Sequence, residues 1–557
     1  MKRFADNLGG GDVYEKRSLI RTACRITFVL LVVLSCSALH TEAQQMHRDE
    51  AQISNPLLWE DLADIDILRV GNSYYYSASN MHYSPGAPIL RSEDLVHWRY
   101  VGHSVPVLDF GAKYDMQGAT AYVRGTWASF LGYRASNKTF YWGGCIDFGK
   151  TYLYTAPASE GPWSRHAVLD KCYYDAGLLV DDDTLYVAYG NTTLHVAQLS
   201  PDGTHEVREE TVFETPKDIG VLEGSRFYKV DGKYYIFATR PADGEYVLRS
   251  ATGPFGPYTA QKLVLRSPSP VSGSGWPHQG GIVQTPNGEW FYMAFVDAYP
   301  GGRIPVLAPL KWNKDGWPEI ELVDGKWAKS YSLPHVSDPQ STSAVQPFVD
   351  EFQSSVLGPE WEWNHNPDNS KWRTGKGLRL QTASVTDDLY LARNTLTHRI
   401  PGPASSATVL VDANGMKEGD YAGLALFRDV SAWIGITRVH DGMKIVVKSG
   451  MSLGRDWKAV SSGTIQASSP LRPGNVWLRA TADIHPGAGR RGTFSYSLDG
   501  KHFLPLGDPL VLNAEWRFFM GYRFALFNYA TQATGGSVLV KSFRIGPVNT
   551  APSGGAQ

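Results

Sequence analysis

Five times between residues 70 and 292 a polar turn leads into a short run of aromatic and β-branched residues, at 70–76, 136–142, 182–187, 230–236 and 286–292. Such runs favour strands, because bulky side chains pack well on a pleated surface. Anchored on Tyr75, Tyr141, Tyr186, Tyr235 and Phe291, the copies are spaced by 66, 45, 49 and 56 residues, the size of one propeller blade. A short apolar segment precedes most of the turns (65–70, 176–180, 226–230, 280–284), and a third strand with a Gly/Pro or Asp turn follows most of them, as at 92–98, 161–163 and 253–258. Four short strands repeated radially make a blade, so the pattern predicts an all-β chain with a five-bladed β-propeller over residues 50–335. One β-sandwich whose strands resemble one another by chance is the competing architecture.

The repeat stops at a polar bridge, 336–346, containing Pro339, Ser341, Thr342 and Ser343. Strand-like segments then follow without a blade period, at 407–411, 422–427, 432–439, 444–448, 476–482, 493–497, 518–525 and 536–545. They read as a two-sheet β-sandwich over 347–548, with 549–557 expected to be a disordered tail. No heptad pattern or phosphate-binding loop occurs in the chain.

Charge and composition narrow the function. The 557 residues carry 53 Lys and Arg against 55 Asp and Glu, a net charge of -2. A nucleic-acid binder or a membrane-surface protein working by bulk charge is thereby excluded. The apolar run 26–39 follows Lys16, Arg17, Arg21 and Arg25; it is short for a spanning helix, which needs about 20 residues, and suits the core of a signal peptide. We expect a leader over 1–43, cleaved after Ala43 or, as in a lipoprotein, ahead of Cys36. The mature chain would be secreted, periplasmic or at the cell surface, and membrane-attached only if Cys36 is lipidated. Two of the four cysteines, Cys24 and Cys36, fall in that leader. Cys145 and Cys172 remain, too few to frame a chain of this size whether or not they pair.

In a propeller the first strand of each blade lines the axis, so residues at its leading end converge from different blades. Asp64 lies 11 residues before Tyr75, Asp175 lies 11 before Tyr186, and Glu223 lies 12 before Tyr235. Three carboxylates therefore hold equivalent leading positions in blades 1, 3 and 4, where mutual repulsion should raise at least one pKa. An acid beside a base is what glycoside hydrolysis needs. A single Asp beside a turn is more simply read as turn chemistry; three at matched offsets point to a site. The run Asp181-Asp182-Asp183 reads as a solvated hairpin. In blade 5 the comparable position holds His278, 13 residues before Phe291.

These residues resemble glycoside hydrolase family 43, the five-bladed propeller β-xylosidases and α-L-arabinofuranosidases. The segments that carry the resemblance are 55–56 with 63–71, 85–89 with 92–98, 174–179 with 181–183, 222–229 and 277–281. Residues 348–352 and the strands beyond are similar to the concanavalin-like jelly-roll sandwich appended to family xylosidases, so the resemblance spans about 50–548. It implies an inverting, exo-acting hydrolysis of β-xylosidic bonds in xylo-oligosaccharides, with α-L-arabinofuranosides as the alternative substrate. It also implies Asp64 as general base, Glu223 as general acid and Asp175 as the group that tunes the acid's pKa.

One departure is that both prolines usually flanking the first Asp are replaced, by Ala63 and Ile65. Asp66, two residues on, would share a face of the strand with Asp64 and competes for the role of base. By the same resemblance Arg303 contacts sugar hydroxyls; Trp127, Met81 and His82 are candidates for the pocket wall, with packing inside the fold as their alternative role. No cofactor is required, though calcium at the hub, held through water by His278, is common in the family; a hydrogen-bonded core histidine is the equal alternative. The partners expected are xylo-oligosaccharide or arabinoxylan-derived saccharides, and no nucleic acid. A non-catalytic glycan-binding propeller that has lost its base is the rival function.

Overall fold

The computed structural model describes residues 51–333, 345–472 and 474–548. The expected leader, most of the bridge and the tail lie outside them.

Five four-stranded antiparallel sheets succeed one another along the chain. Blade 1 is Ala63–Val70, Ser73–Ser79, Gly86–Ser92 and Arg99–Val105; blade 2 is Ser129–Arg134, Thr139–Ile146, Lys150–Ala156 and Ser164–Leu169; blade 3 is Gly177–Asp181, Thr184–Asn191, Thr193–Leu199 and Glu206–Glu214. Blade 4 is Glu223–Val230, Lys233–Arg240, Gly244–Ser250 and Thr259–Leu265, and blade 5 is His278–Gln284, Trp290–Asp297, Arg303–Trp312 and Pro318–Ile320. The second strands are the aromatic repeats. In blade 1 every residue of Ser73–Ser79 is buried, because an inner strand of a blade is covered on both faces by its neighbours. Its apolar residues therefore run continuously instead of alternating.

The hairpins between first and second strands use left-handed residues: Asp182 and Asp183 at φ 43° and 67°, Asp231 and Gly232 at φ 48° and 75°. Positive φ at both central positions matches the twist of the flanking strands. The first strands pack side by side around the axis, and that of blade 5 meets that of blade 1. The incoming segment closes this ring: Leu57 N–H donates to Pro305 O and Leu62 N–H to Arg303 O, each at 2.9 Å. Cys145 and Cys172 form a disulfide from blade 2 to the chain leading into blade 3.

Beyond the bridge lie two antiparallel sheets. Strands such as Ala404–Asp412 and Asn475–Asp483 bury every second residue, as a sheet with one face on a core must. The apolar faces, including Val409, Leu478, Ile434, Phe524 and Leu526, form a shared core. One strand of this sandwich is lent by the propeller: Tyr83–Ser84 pairs with Trp361–Asn364 at the sheet edge. The seam also buries Glu362, bound by Arg399 at 2.9 Å and by Arg523 at 2.5 Å.

Candidate active site

The innermost strands of blades 1, 4 and 5 begin with irregular pairing. The register slips between Ala63 and Asp66, between Glu223 and Arg226, and between His278 and Gly281. Each slip contains a left-handed residue: Asp64 at φ 57°, Gly224 at φ 67° and Gln279 at φ 46°. In blade 3 Asp175, at φ 48°, stands two residues ahead of the innermost strand. Irregularities of this kind re-aim side chains, and here they turn Asp64, Asp175 and Glu223 into one cavity of about 820 Å³, within the ordinary size of a ligand pocket.

The three acids have different surroundings. Asp64 is buried; it accepts from Ser79 Oγ at 2.6 Å and is ion-paired with Arg303 Nη1 at 2.7 Å. Glu223 accepts from Asn191 Nδ2 and, at 3.3 Å, from Tyr174 OH. Burial nevertheless pushes its pKa up, with Asp64 adding to the rise. Asp175 is half-buried, and no hydrogen bond reaches its carboxylate among the described residues. Burial pushes it well above its ordinary range, Glu223 and Asp64 push it further, and Arg226 and Arg303 pull against them. The site thus holds one carboxylate matched by a cation and two carboxyls disposed to keep a proton.

Asp66 does not join them. The left-handed turn at Asp64 breaks the two-residue alternation, so the two side chains leave on different sides of the sheet. Asp66 accepts the Leu131 N–H at 2.8 Å, stands 3.8 Å from Arg226, and lines a separate cavity of about 270 Å³. Burial pushes its pKa up to about 6.

Arg303 lines the cavity, but its guanidinium is engaged by protein: besides Asp64 it donates to Phe519 O at 3.0 Å and to Ser79 Oγ at 3.3 Å. Three of its five N–H groups are used in this way, and the side chain that the sequence assigned to sugar hydroxyls also holds Asp64. Trp127 is on the cavity wall, edge-on to Phe519 at 4.8 Å between ring centroids. Met81 and His82 are not. Both are fully buried where the propeller meets the sandwich, His82 packed against Tyr83, Tyr122, His365 and Phe518. The short strand that follows them joins the sandwich sheet and carries them away from the axis. Burial also holds the His82 imidazole well below its usual pKa.

His278 reaches the cavity, with Nδ1 2.9 Å from Trp276 O and its ring edge-on to Phe295. Much of the wall was not anticipated. Phe148 and Tyr174 come from the propeller; Trp457, Trp516 and Phe519 come from the sandwich. Tyr174 could have been noticed beside Asp175. Nothing local marks the sandwich residues, which arrive only because the two β units pack together.

The profile of glycosyl hydrolases family 43 matches residues 53–318, and that of the beta xylosidase C-terminal concanavalin A-like domain matches 349–546. A putative beta-xylosidase of Xylanibacter ruminicola is 30% identical over 82% of this chain and 83% of its own. A non-reducing end alpha-L-arabinofuranosidase of Bacteroides ovatus is 26% identical over 83% and 88%. A solved structure is 47% identical, with TM-score 0.86, covering 89% of this chain and 100% of that one. It is described as a family 43 glycoside hydrolase engineered in its active site to display both endo-xylanase and exo-arabinofuranosidase activity.

Proposed function

This chain belongs to glycosyl hydrolases family 43 and is a glycosidase, and we propose that it is an exo-acting enzyme releasing terminal xylose from β-linked xylo-oligosaccharides by inversion. The carrying observation is the unequal treatment of three carboxylates on one cavity. Asp64, the acid paired with an arginine, is the base that activates water. Glu223, whose pKa burial raises, protonates the departing glycosidic oxygen. Asp175, beside it, raises and orients that acid. Trp127, Phe148 and Phe519 offer apolar ring faces suited to a pentose. The loss of both prolines around Asp64 does not point to a lost base, since the side chain still faces the cavity with its cation.

Release of terminal α-L-arabinofuranose is the second reading, favoured by the exo-arabinofuranosidase activity described for the 47%-identical structure. Nitrophenyl β-D-xylopyranoside and α-L-arabinofuranoside assayed side by side, with NMR of the first anomer released, decide between them. Inversion requires the first sugar to appear with the opposite anomeric configuration. No turnover on either glycoside would leave the non-catalytic glycan binder.

No cofactor enters this chemistry. Calcium takes six to eight oxygens, and among the described residues no group of three or more His, Cys, Asp or Glu is placed to hold a metal. His278 alone does not meet such a demand, so calcium at the hub would be held largely through water. Export from the cytoplasm, by a cleaved leader or by lipidation at Cys36, is supported by the Cys145–Cys172 disulfide, a bond that persists in oxidising compartments. Mass spectrometry of the mature N-terminus tests it.

A further inference from the structure

Arg226 is fully buried on the innermost strand of blade 4, three residues after Glu223, and does not line the catalytic cavity. Its guanidinium donates to four main-chain carbonyls: Nε to Ile65 O at 2.7 Å, Nη2 to Asp64 O at 2.9 Å, and Nη1 to Ala176 O at 3.0 Å and Ser225 O at 2.8 Å. Those carbonyls belong to the leading segments of three blades: Asp64 and Ile65 at the first acid, Ala176 next to Asp175, and Ser225 two residues after Glu223. The reason they need a donor is local. A left-handed residue at the head of a strand interrupts the ladder and leaves carbonyls aimed at the axis, and a buried carbonyl without a partner is costly.

Only a planar fork with five N–H groups can serve several strands at once. The strands of blades 3 and 4 run in close contact here: a Cβ on Gly177 would come within 2.5 Å of Ser225 O and 2.7 Å of Arg226 Cα. We propose that Arg226 is a positioning residue that sets the mutual geometry of Asp64, Asp175 and Glu223 by clasping the backbone beside each. It explains why Asp66 faces this hub: at 3.8 Å it is the nearby anion for the clasp. The inference rests on the hydrolytic reading of the three acids.

The test compares the full chain with Arg226→Lys, Arg226→Met and, as a packing control, Ile67→Val on the buried first strand of blade 1. Turnover is read on nitrophenyl β-D-xylopyranoside and α-L-arabinofuranoside, and folding by thermal melting. Displaced carboxylates should cut kcat about 100-fold in the lysine variant and further in the methionine variant. KM should stay within about threefold, because ground-state binding is made elsewhere. Ile67→Val should melt earlier yet keep its kcat. Retention of kcat by both arginine variants overturns the inference, as does a rise in KM with kcat unchanged. Loss of the fold in both, with Ile67→Val intact, also overturns it, leaving Arg226 as a pillar of the propeller alone. A wild-type chain inactive on both glycosides would instead sink the hydrolytic reading, and the inference with it.

Discussion

Two sets of buried acids in this molecule are treated in opposite ways. At the seam between propeller and sandwich, burial by itself would raise the Glu362 carboxyl, but Arg399 and Arg523 hold it well below the usual carboxylate range. At the propeller axis burial raises Asp175 and Glu223, and the arginine in direct contact with the acids, Arg303, is bound to Asp64. Desolvation is common to both places; the number of cations decides the sign. Two cations around one acid make a joint. One cation among three acids leaves Asp64 paired and the pKa values of Asp175 and Glu223 raised.

The contrast can be broken most sharply at the axis. Asp64→Asn should slow hydrolysis about 10²–10⁴-fold whatever the leaving group, whereas Glu223→Ala should do so on xylobiose and largely spare a nitrophenyl glycoside, which needs little protonation. If only Asp66→Asn abolished both activities, the base would be reassigned.

At the seam, Glu362→Gln leaves two buried arginines unmatched and should cost about 3–5 kcal/mol, seen as a lowered Tm with kcat per folded molecule retained. The stability Glu362 contributes is present above the unfolded carboxyl's pKa, near 4.5, and is lost as pH falls through the much lower folded value. The wild type should therefore resist acid better than the variant by a margin that closes below pH 4.5.

The smallest effect has the reverse sign. Asp175 has a raised pKa in the folded chain, so as pH climbs past its ordinary value of 3.8 the unfolded state ionises first and gains on the folded one. Asp175→Asn should raise stability by about 1 kcal/mol at pH 8 and by almost nothing in acid, while lowering activity. Melting curves across that range check it, and a gain independent of pH would show that Asp175 is not a strained carboxylate.

The repeat of turn and aromatic strand was legible because a blade's second strand must be apolar on both faces. The matched offsets of Asp64, Asp175 and Glu223 were legible because in blades 1, 3 and 4 an acid stands at nearly the same distance ahead of the aromatic second strand. The orientation of Asp66 was not, since counting by twos assumes a regular ladder and a single left-handed residue at Asp64 reverses it. Met81 and His82 were misplaced for a related reason: the strand at Tyr83–Ser84 pairs with Trp363 and Asn364, far along the chain in the sandwich, and no local pattern encodes such a partner.

Sequence alone determined the local matters, which depend on residue type and spacing: strand, turn, blade period, and which carboxylates head the blades. Tertiary structure decided everything that depends on what stands opposite. It assigned Arg303 to Asp64 and two arginines to Glu362, and brought Trp457, Trp516 and Phe519 from the sandwich to the cavity. A side chain's charge state and its access to a ligand follow from the solvent and counter-charges around it, and those are supplied by distant parts of the chain only once it has folded.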